Sequence, residues 1–140
     1  MTSTAEIAFE LRGALAPIYR RLTAEKALPL GQTRVLNALV SHGPATSSVL
    51  AAGERITPQS MAAIVADLES RGYVARDQDP SDGRRRLVRV TDDGRSALAD
   101  DRAAMSGWLA SVITQRLDDD ERAVLAAALP VLHKLGSGDA

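Results

Sequence analysis

Three consecutive arginines, Arg84, Arg85 and Arg86, follow an Asp-Pro-Ser-Asp-Gly turn in a 140-residue chain whose net charge is only −1. Guanidinium groups at such a turn are suited to nucleic-acid phosphates, or to the negative potential of a minor groove. A basic patch acts locally, whatever the overall charge of the chain. Taken alone, the run fits a solvated charged turn as well as it fits a phosphate-binding tip, so the neighbouring elements must decide between the two.

Other chemically capable groups are sparse. The two histidines, His42 and His133, lie far apart in the chain and lack the carboxylate spacing of a metal site. The chain has no cysteine, which excludes disulfides, cysteine-ligated zinc and sensing by thiol oxidation. It also has no glycine-rich phosphate loop, serine elbow or HExxH motif. We therefore predict no catalytic residue, no metal and no cofactor, and hence a protein that is not an enzyme.

The composition indicates one helical domain. Hydrophobic residues make up 45% of the chain and charged residues 25%, as in an ordinary globular protein, while aromatic residues are only 3%. The acidic residues near the N-terminus do not fit a signal peptide, and no apolar run approaches the ~18 residues needed to span a bilayer. We expect a cytoplasmic protein with no membrane partner.

Hydrophobic periodicity and capping residues divide most of the chain into helices. The expected segments are Thr4 to about Lys26, about Pro29 to Ser41, a Thr46-capped helix through Gly53, about Thr91 to Leu117, and a last helix opened by Asp118 and Glu121. Pro17 predicts a kink or a break in the first of these helices, and Pro130 predicts a kink in the last.

The segment from residue 57 to 71 gives the clearest helix signal. Thr57 is a suitable N-cap, Pro58 occupies the first helical position, and Gly72 follows where a left-handed residue ends many helices. The apolar stripe of this helix leaves Gln59, Ser60 and Ala63 on the opposite side. Beyond Gly72, the segments YVARDQD and LVRVT read as the strands of a hairpin whose turn carries the arginines.

Three short helices followed by a hairpin form a winged helix-turn-helix. We therefore expect a mainly α protein with a small β-hairpin, in which additional N- and C-terminal helices leave apolar faces uncovered. A two-fold homodimer would cover those faces, and it would place two reading helices one DNA turn apart.

The sequence from Thr57 to Gly94, TPQSMAAIVADLESRGYVARDQDPSDGRRRLVRVTDDG, together with LGQTRVLNAL before it, resembles the MarR family of bacterial transcription regulators. The resemblance implies a single MarR-like domain over residues 1–140, with a DNA-binding lobe at about 30–91 and dimerisation helices at about 4–26 and 92–136. It also implies a homodimer that binds double-stranded DNA at a palindromic operator, usually as a repressor. The resemblance further implies that a small, often aromatic, ligand binds between the dimer region and the DNA-binding lobe and releases the protein from DNA.

The expected functional residues follow from this arrangement. The predicted DNA-binding residues are Thr57, Pro58, Gln59, Ser60, Ala63, Asp82, Arg84, Arg85 and Arg86. At the wing we expect Arg84 and Arg86, at alternate positions, to contact DNA, while Arg85 points elsewhere and Asp82 pairs with a neighbouring arginine. Tyr19 and Trp108 are candidates for lining a ligand pocket, although aromatic residues in helices are more often core or dimer contacts.

One departure from the family pattern keeps an alternative open. The predicted helix at residues 57–71, which would read the DNA bases, has no basic residue from Thr57 to Ala66. Base contacts would therefore fall to Gln59, Ser60 and Ala63, which suggests a preference for A·T steps. The same absence is the best argument for the alternative, a winged helix that contacts protein without specific DNA binding.

Overall fold

The structure, a computed structural model, describes residues 1–138 of the chain. In these residues it contains six helices and one antiparallel two-stranded sheet. In chain order they are α1 Thr4–Ala24, α2 Leu30–His42, α3 Ser47–Glu54, α4 Pro58–Ser70, β1 Val74–Gln78, β2 Arg86–Val90, α5 Asp92–Arg116 and α6 Asp119–Gly136. The predicted fold class, a mainly α winged helix-turn-helix with extra helices at both ends, is confirmed. None of the described helices combines the length and hydropathy needed to cross a membrane.

Capping side chains set the helix starts where the sequence predicts them. The Thr57 hydroxyl accepts a hydrogen bond from the backbone N–H of Ser60 at 3.1 Å. At α6, Asp118 accepts from the Glu121 N–H at 2.8 Å while the Glu121 carboxylate accepts from the Asp118 N–H at 3.0 Å. Each bond satisfies a donor that the first helical turn leaves unpaired. Gly72 has the expected left-handed conformation, with φ at 76°.

Two details differ from the sequence expectation. The short helix α3 begins at its Thr46 cap but runs through Gly53 to Glu54, and Arg55 takes the left-handed conformation, with φ at 55°. The helices α1 and α6 each continue past their proline as a single helix, so the suggested break at Pro17 is wrong. The kinks at Pro17 and Pro130 stay predictions.

The described chain forms two compact units. One unit is Thr23–Ala104; the other contains Met1–Leu22 and the described residues from Met105 onwards. Every apolar residue of the core lies in the first unit. These residues are Leu28, Val35, Leu36, Leu39, Leu50, Ala51, Met61, Val65, Leu68, Val74, Val88 and Leu98. The apolar core of the described chain thus lies within one of the two units, and the residue ranges expected from the resemblance stay predictions.

A buried ion pair within the first unit joins the segment before α2 to the first half of α5. Asp101 is fully buried, and its carboxylate accepts hydrogen bonds from Lys26 Nζ at 2.7 Å and from the backbone N–H groups of Ala27 and Leu28 at 2.7 and 3.0 Å. Burial alone would raise the pKa of Asp101, but the hydrogen bonds and the charge of Lys26 outweigh it and lower that pKa. The pair fixes the segment before α2 against α5.

A second junction joins α4, the hairpin and α5 through Thr91. The Thr91 hydroxyl donates to the Gly72 carbonyl at 2.6 Å and accepts from the Gly94 N–H at 3.1 Å. The Thr91 N–H donates to the Tyr73 carbonyl at 3.0 Å. A Cβ atom added to Gly94 would lie 2.1 Å from the Tyr73 oxygen, so only glycine fits at this crossing. The base of the hairpin is thereby fixed to the end of α4.

Candidate nucleic-acid interface

The N-terminal end of α4 presents the predicted reading residues to solvent. Thr57, Pro58, Gln59, Ser60 and Ala63 are all exposed. The opposite side of the helix is buried in the core through Met61, Val65 and Leu68. This division follows the helical period, because residues three and four positions apart share a face. The core therefore holds α4 so that its neutral polar end faces outwards.

The wing is the hairpin of β1 and β2, whose register pairs Val74 with Val90 and Gln78 with Arg86. A turn closes the tip, where the Arg85 N–H donates to the Asp82 carbonyl at 3.0 Å. The Gln78 side chain also donates to the carbonyl of Gly83 across the tip, at 3.1 Å. The tip is thus folded back on itself by its own hydrogen bonds.

The predicted pairing of Asp82 with a neighbouring arginine involves Arg85. Its Nε lies 3.2 Å from one Asp82 oxygen, while the other oxygen accepts from the Arg84 N–H at 3.1 Å. The side chains of Arg84, Arg85 and Arg86 are all exposed. Because β2 begins only at Arg86, the alternation of a strand does not extend back through the turn. That Arg84 and Arg86 contact DNA while Arg85 points elsewhere stays a prediction.

A groove of about 510 Å³ lies between the start of α3 and the wing. It is lined by Thr46, Ser47, Ser48, Val49, Arg76, Arg85, Arg86 and Val88. The groove forms because Ala45, just before the Thr46 cap, makes an isolated β-bridge to Val88, with hydrogen bonds of 3.1 and 2.8 Å. Sequence reasoning missed Arg76, since its place depends on the strand register and on this bridge.

The two candidate ligand-pocket residues, Tyr19 and Trp108, both belong to the unit that contains α1 and α6. Tyr19 lines an open apolar groove of about 610 Å³ along α1, to which Trp108 does not contribute. Trp108 is half-buried, and the guanidinium carbon of Arg21 lies 5.8 Å from its ring centroid, within cation–π range. Among the described residues there is no cluster of three or more His, Cys, Asp or Glu side chains that could hold a metal ion.

Comparisons with known proteins agree with this architecture. A family model described as the MarR family matches residues 28–85. An HTH-type transcriptional regulator from Mycobacterium bovis is 32% identical over 138 residues, 96% of each chain. The crystal structure of a transcriptional regulator from Pseudomonas aeruginosa has a TM-score of 0.83 and 33% identity, covering 99% of this chain and 100% of that one.

A more distant likeness concerns the fold alone. A mutant of MepR from S. aureus, bound to an oligodeoxyribonucleotide, has a TM-score of 0.69 and 16% identity, covering 94% of this chain and 98% of that one. The family and the more similar relatives are transcriptional regulators and not enzymes. With a winged helix-turn-helix and near-complete coverage by relatives that are transcriptional regulators, the chain belongs to the MarR family of transcription regulators.

Proposed function

We propose that the protein is a homodimeric, sequence-specific DNA-binding repressor that occupies a palindromic operator and is released by a small aromatic ligand. The observation that carries the DNA-binding part is the exposed end of α4 beside an arginine-bearing wing, in one compact unit with its own core. The oligodeoxyribonucleotide bound by the similarly folded MepR supports this choice. Such a repressor works where the chromosome lies, which is the cytoplasm of a bacterium.

In this proposal the end of α4 reads base edges in the major groove. Gln59 can form a bidentate pair with adenine, and the methyl group of Ala63 can contact the methyl group of thymine. Ser60 and Thr57 are already hydrogen-bonded to each other through their hydroxyls at 2.9 Å, which orients both at the helix start. These contacts favour A·T steps in the half-site. Pro58 shapes the first turn without offering a donor.

The wing tip supplies the charged contacts beside the reading helix. Arg84 lies in the turn, is exposed, and forms no ion pair within the described residues. A guanidinium in this position can enter the minor groove, where the negative potential is greatest in A·T tracts. Asp82 stabilises the turn by accepting from the Arg84 N–H and pairing with Arg85. Its role is therefore to shape the tip, while the arginines contact DNA.

A second copy of the chain is the proposed cover for the apolar terminal helices. Neither α1 nor α6 has a single buried residue in the described chain. Their exposed large apolar side chains are Ile7, Phe9, Leu15, Ile18, Tyr19, Val124, Leu129, Val131 and Leu135. A two-fold dimer through these faces would set two α4 helices ~34 Å apart, matching successive major grooves of a palindrome.

Sedimentation velocity tests the dimer directly. The wild-type chain should sediment as a dimer at micromolar concentration, and Leu129→Glu should shift it to monomer because a charge would enter the apolar face. Asp120→Lys, an exposed change at the start of the same helix, is the control and should leave the dimer intact. A monomeric wild-type chain would overturn this part of the proposal.

The proposed inducer is a small aromatic molecule that contacts Tyr19 or Trp108. Trp108 is the single tryptophan of the chain, so its fluorescence reports on one place. Titration with phenolic acids such as salicylate should change this fluorescence and weaken DNA binding at the same concentrations. A fluorescence change with unaltered DNA affinity would show binding without release, and would contradict the inducer role.

DNA binding itself is tested by its salt dependence. Affinity for a random duplex should fall steeply between 50 and 200 mM salt, since each phosphate contact contributes about 0.9 to the log–log slope. Genomic fragments selected by the protein should then share a palindrome and bind more tightly than random duplex. Arg84→Ala should weaken operator binding by ~1–3 kcal/mol with the fold intact.

The second candidate function is a winged helix that contacts protein. The neutral end of α4 is the observation that favours it, because many DNA-reading helices carry basic residues there. Absence of DNA binding at 50 mM salt by a folded dimer would support this candidate over the repressor.

A further inference from the structure

The groove between α3 and the wing combines three guanidinium groups with the start of a helix. Its lining residues include Arg76, Arg85 and Arg86 and no carboxylate. This local charge contrasts with the net charge of −1 for the chain. Two hydroxyl side chains, Ser47 and Ser48, occupy the first turn of α3 at the opposite wall. A compact anion is the ligand that such a lining favours.

The strand register explains why the arginines meet here. Arg76 on β1 is paired with Val88 on β2, and directly paired residues point to the same face of a sheet. Arg86 is two residues from Val88 and shares that face as well. Since the bridge from Ala45 to Val88 brings the start of α3 to this face, the arginines and the first turn of α3 enclose one groove.

The arginines differ in how far they are already neutralised. Arg85 is held by Asp82 at 3.2 Å. Arg76 Nε lies 3.2 Å from a Glu69 oxygen but donates no hydrogen bond and is shielded from solvent. No ion pair in the described residues involves Arg86. Arg86 is therefore the arginine of the groove that no carboxylate of the described residues neutralises, and Arg76 beside it shares its charge with Glu69.

The first turn of α3 complements them. The Thr46 hydroxyl already accepts from the Val49 N–H at 3.2 Å. The N–H groups of Ser47 and Ser48 have no acceptor within the helix, because the first turn of any helix lacks one. Backbone donors and a guanidinium fork together match the two free oxygens of a phosphodiester.

We infer that Arg76, Arg86 and the first turn of α3 form a phosphate clamp that grips one backbone phosphodiester of bound DNA. This inference rests on the proposed DNA-binding function and adds a role for Arg76, Ser47 and Ser48. The clamp and the end of α4 would contribute to DNA binding in different ways. The clamp supplies affinity that is independent of sequence, whereas the neutral end of α4 supplies base selection, since phosphate contacts carry no direct sequence information.

The test measures the affinity of full-length variants for a random duplex and for a selected operator by fluorescence anisotropy. The quantity compared is the slope of the logarithm of affinity against the logarithm of salt concentration. The double variant Arg76→Ala with Arg86→Ala should lower the slope by about 0.9, because the clamp grips one phosphate, with the ratio of operator to random affinity unchanged. Arg34→Ala, which removes an exposed arginine of α2 outside the groove, is the control and should keep the wild-type slope. Arg86→Lys should keep the slope, because it retains the charge, and lose part of the affinity, because it lacks the planar fork.

The outcomes separate the clamp from the function on which it rests. A wild-type slope in the double alanine variant, with the wild-type protein binding DNA, overturns the clamp and leaves the repressor proposal standing. A wild-type protein that binds no DNA overturns both. Inorganic phosphate at 10 mM and constant ionic strength should not displace the duplex; displacement that Arg86→Ala abolishes would reassign the groove to free phosphate and so overturn the DNA assignment.

Discussion

The two compact units differ most in what they bury. The Thr23–Ala104 unit contains every buried residue of the described chain, including the charged Asp101. The other unit has helices of 21 and 18 residues, α1 and α6, with no buried residue. Apolar burial is the main stabilising contribution to folding, so the first unit has its own source of stability and the second lacks one. The second unit is therefore the part of the chain whose stability should depend on a partner.

The largest expected effect comes from a pair of glycines in α5, one in each unit. Gly94→Ala should destabilise the protein by about 4 kcal/mol or more, because the new Cβ would lie 2.1 Å from the Tyr73 oxygen. Gly107→Ala meets nothing within 4 Å and should stabilise the helix by up to about 1 kcal/mol. Urea denaturation measures both changes. Equal changes in the free energy of unfolding for the two substitutions would contradict the expected difference between the two units.

Truncation of a core leucine tests whether the first unit carries the stability. Leu36→Ala should cost about 3 kcal/mol, since this fully buried side chain leaves a cavity. Leu30→Ala, at the start of the same helix and 46% exposed, should cost much less. Both losses should be independent of protein concentration if the core acts within one chain. A Leu36→Ala loss that shrinks as concentration rises would instead mean that this core is completed by a partner.

The buried ion pair provides a pH-dependent test of the same unit. Asp101→Asn should cost about 2 kcal/mol at neutral pH, since hydrogen bonds to a charged carboxylate are lost or weakened. The exposed pair of Asp77 and Arg89 provides the control, and Asp77→Asn should cost at most about 0.5 kcal/mol.

The sign of the pH effect follows from the lowered pKa of Asp101. A group whose pKa is lower in the folded state adds stability above its unfolded value, near 3.8, and that stability is lost as pH falls through the folded value. The wild-type free energy of unfolding should therefore drop more steeply in acid than that of Asp101→Asn. Parallel curves from pH 6 to pH 2 would contradict the assignment.

The smallest expected effect concerns the cap of α6. Asp118→Ala removes one half of the capping box, the hydrogen bond that the Asp118 carboxylate accepts from the Glu121 N–H, and should cost about 1 kcal/mol. Because α6 has no buried residue, the loss should appear first as fraying of that helix in circular dichroism at low protein concentration. Dimerisation should reduce the fraying, and an effect that is the same in monomer and dimer would argue against α6 as a dimer contact.

Local signals allowed much of this fold to be predicted from sequence. Thr57 followed by Pro58, and Asp118 followed by Glu121, identify helix starts because a cap and the N–H groups it satisfies lie within three residues of each other. Gly72 was predictable for a similar reason, since a left-handed residue disfavours any Cβ. These features depend on near neighbours alone.

The features that escaped prediction depend on residues far apart in the chain. Lys26 and Asp101 are 75 residues apart, and the sequence around each of them does not indicate that the residue is buried. Arg76 lies in β1, and the sequence of this strand alone suggests a solvent-exposed arginine. Its place in the groove follows only from its pairing with Val88 and from the bridge between Ala45 and Val88. The exposed face of α4 could be predicted from periodicity, whereas the residues that line the groove beside α3 could not.

The bridge from Ala45 to Val88 and the Thr91 junction fix the hairpin at its base, while the turn between Gln78 and Arg86 is held only by bonds within the wing. Loops of other lengths or charges can therefore be transplanted into that turn without disturbing either anchor. Under the proposed function, changes in that turn would alter DNA contacts without affecting the residues that hold the hairpin in place.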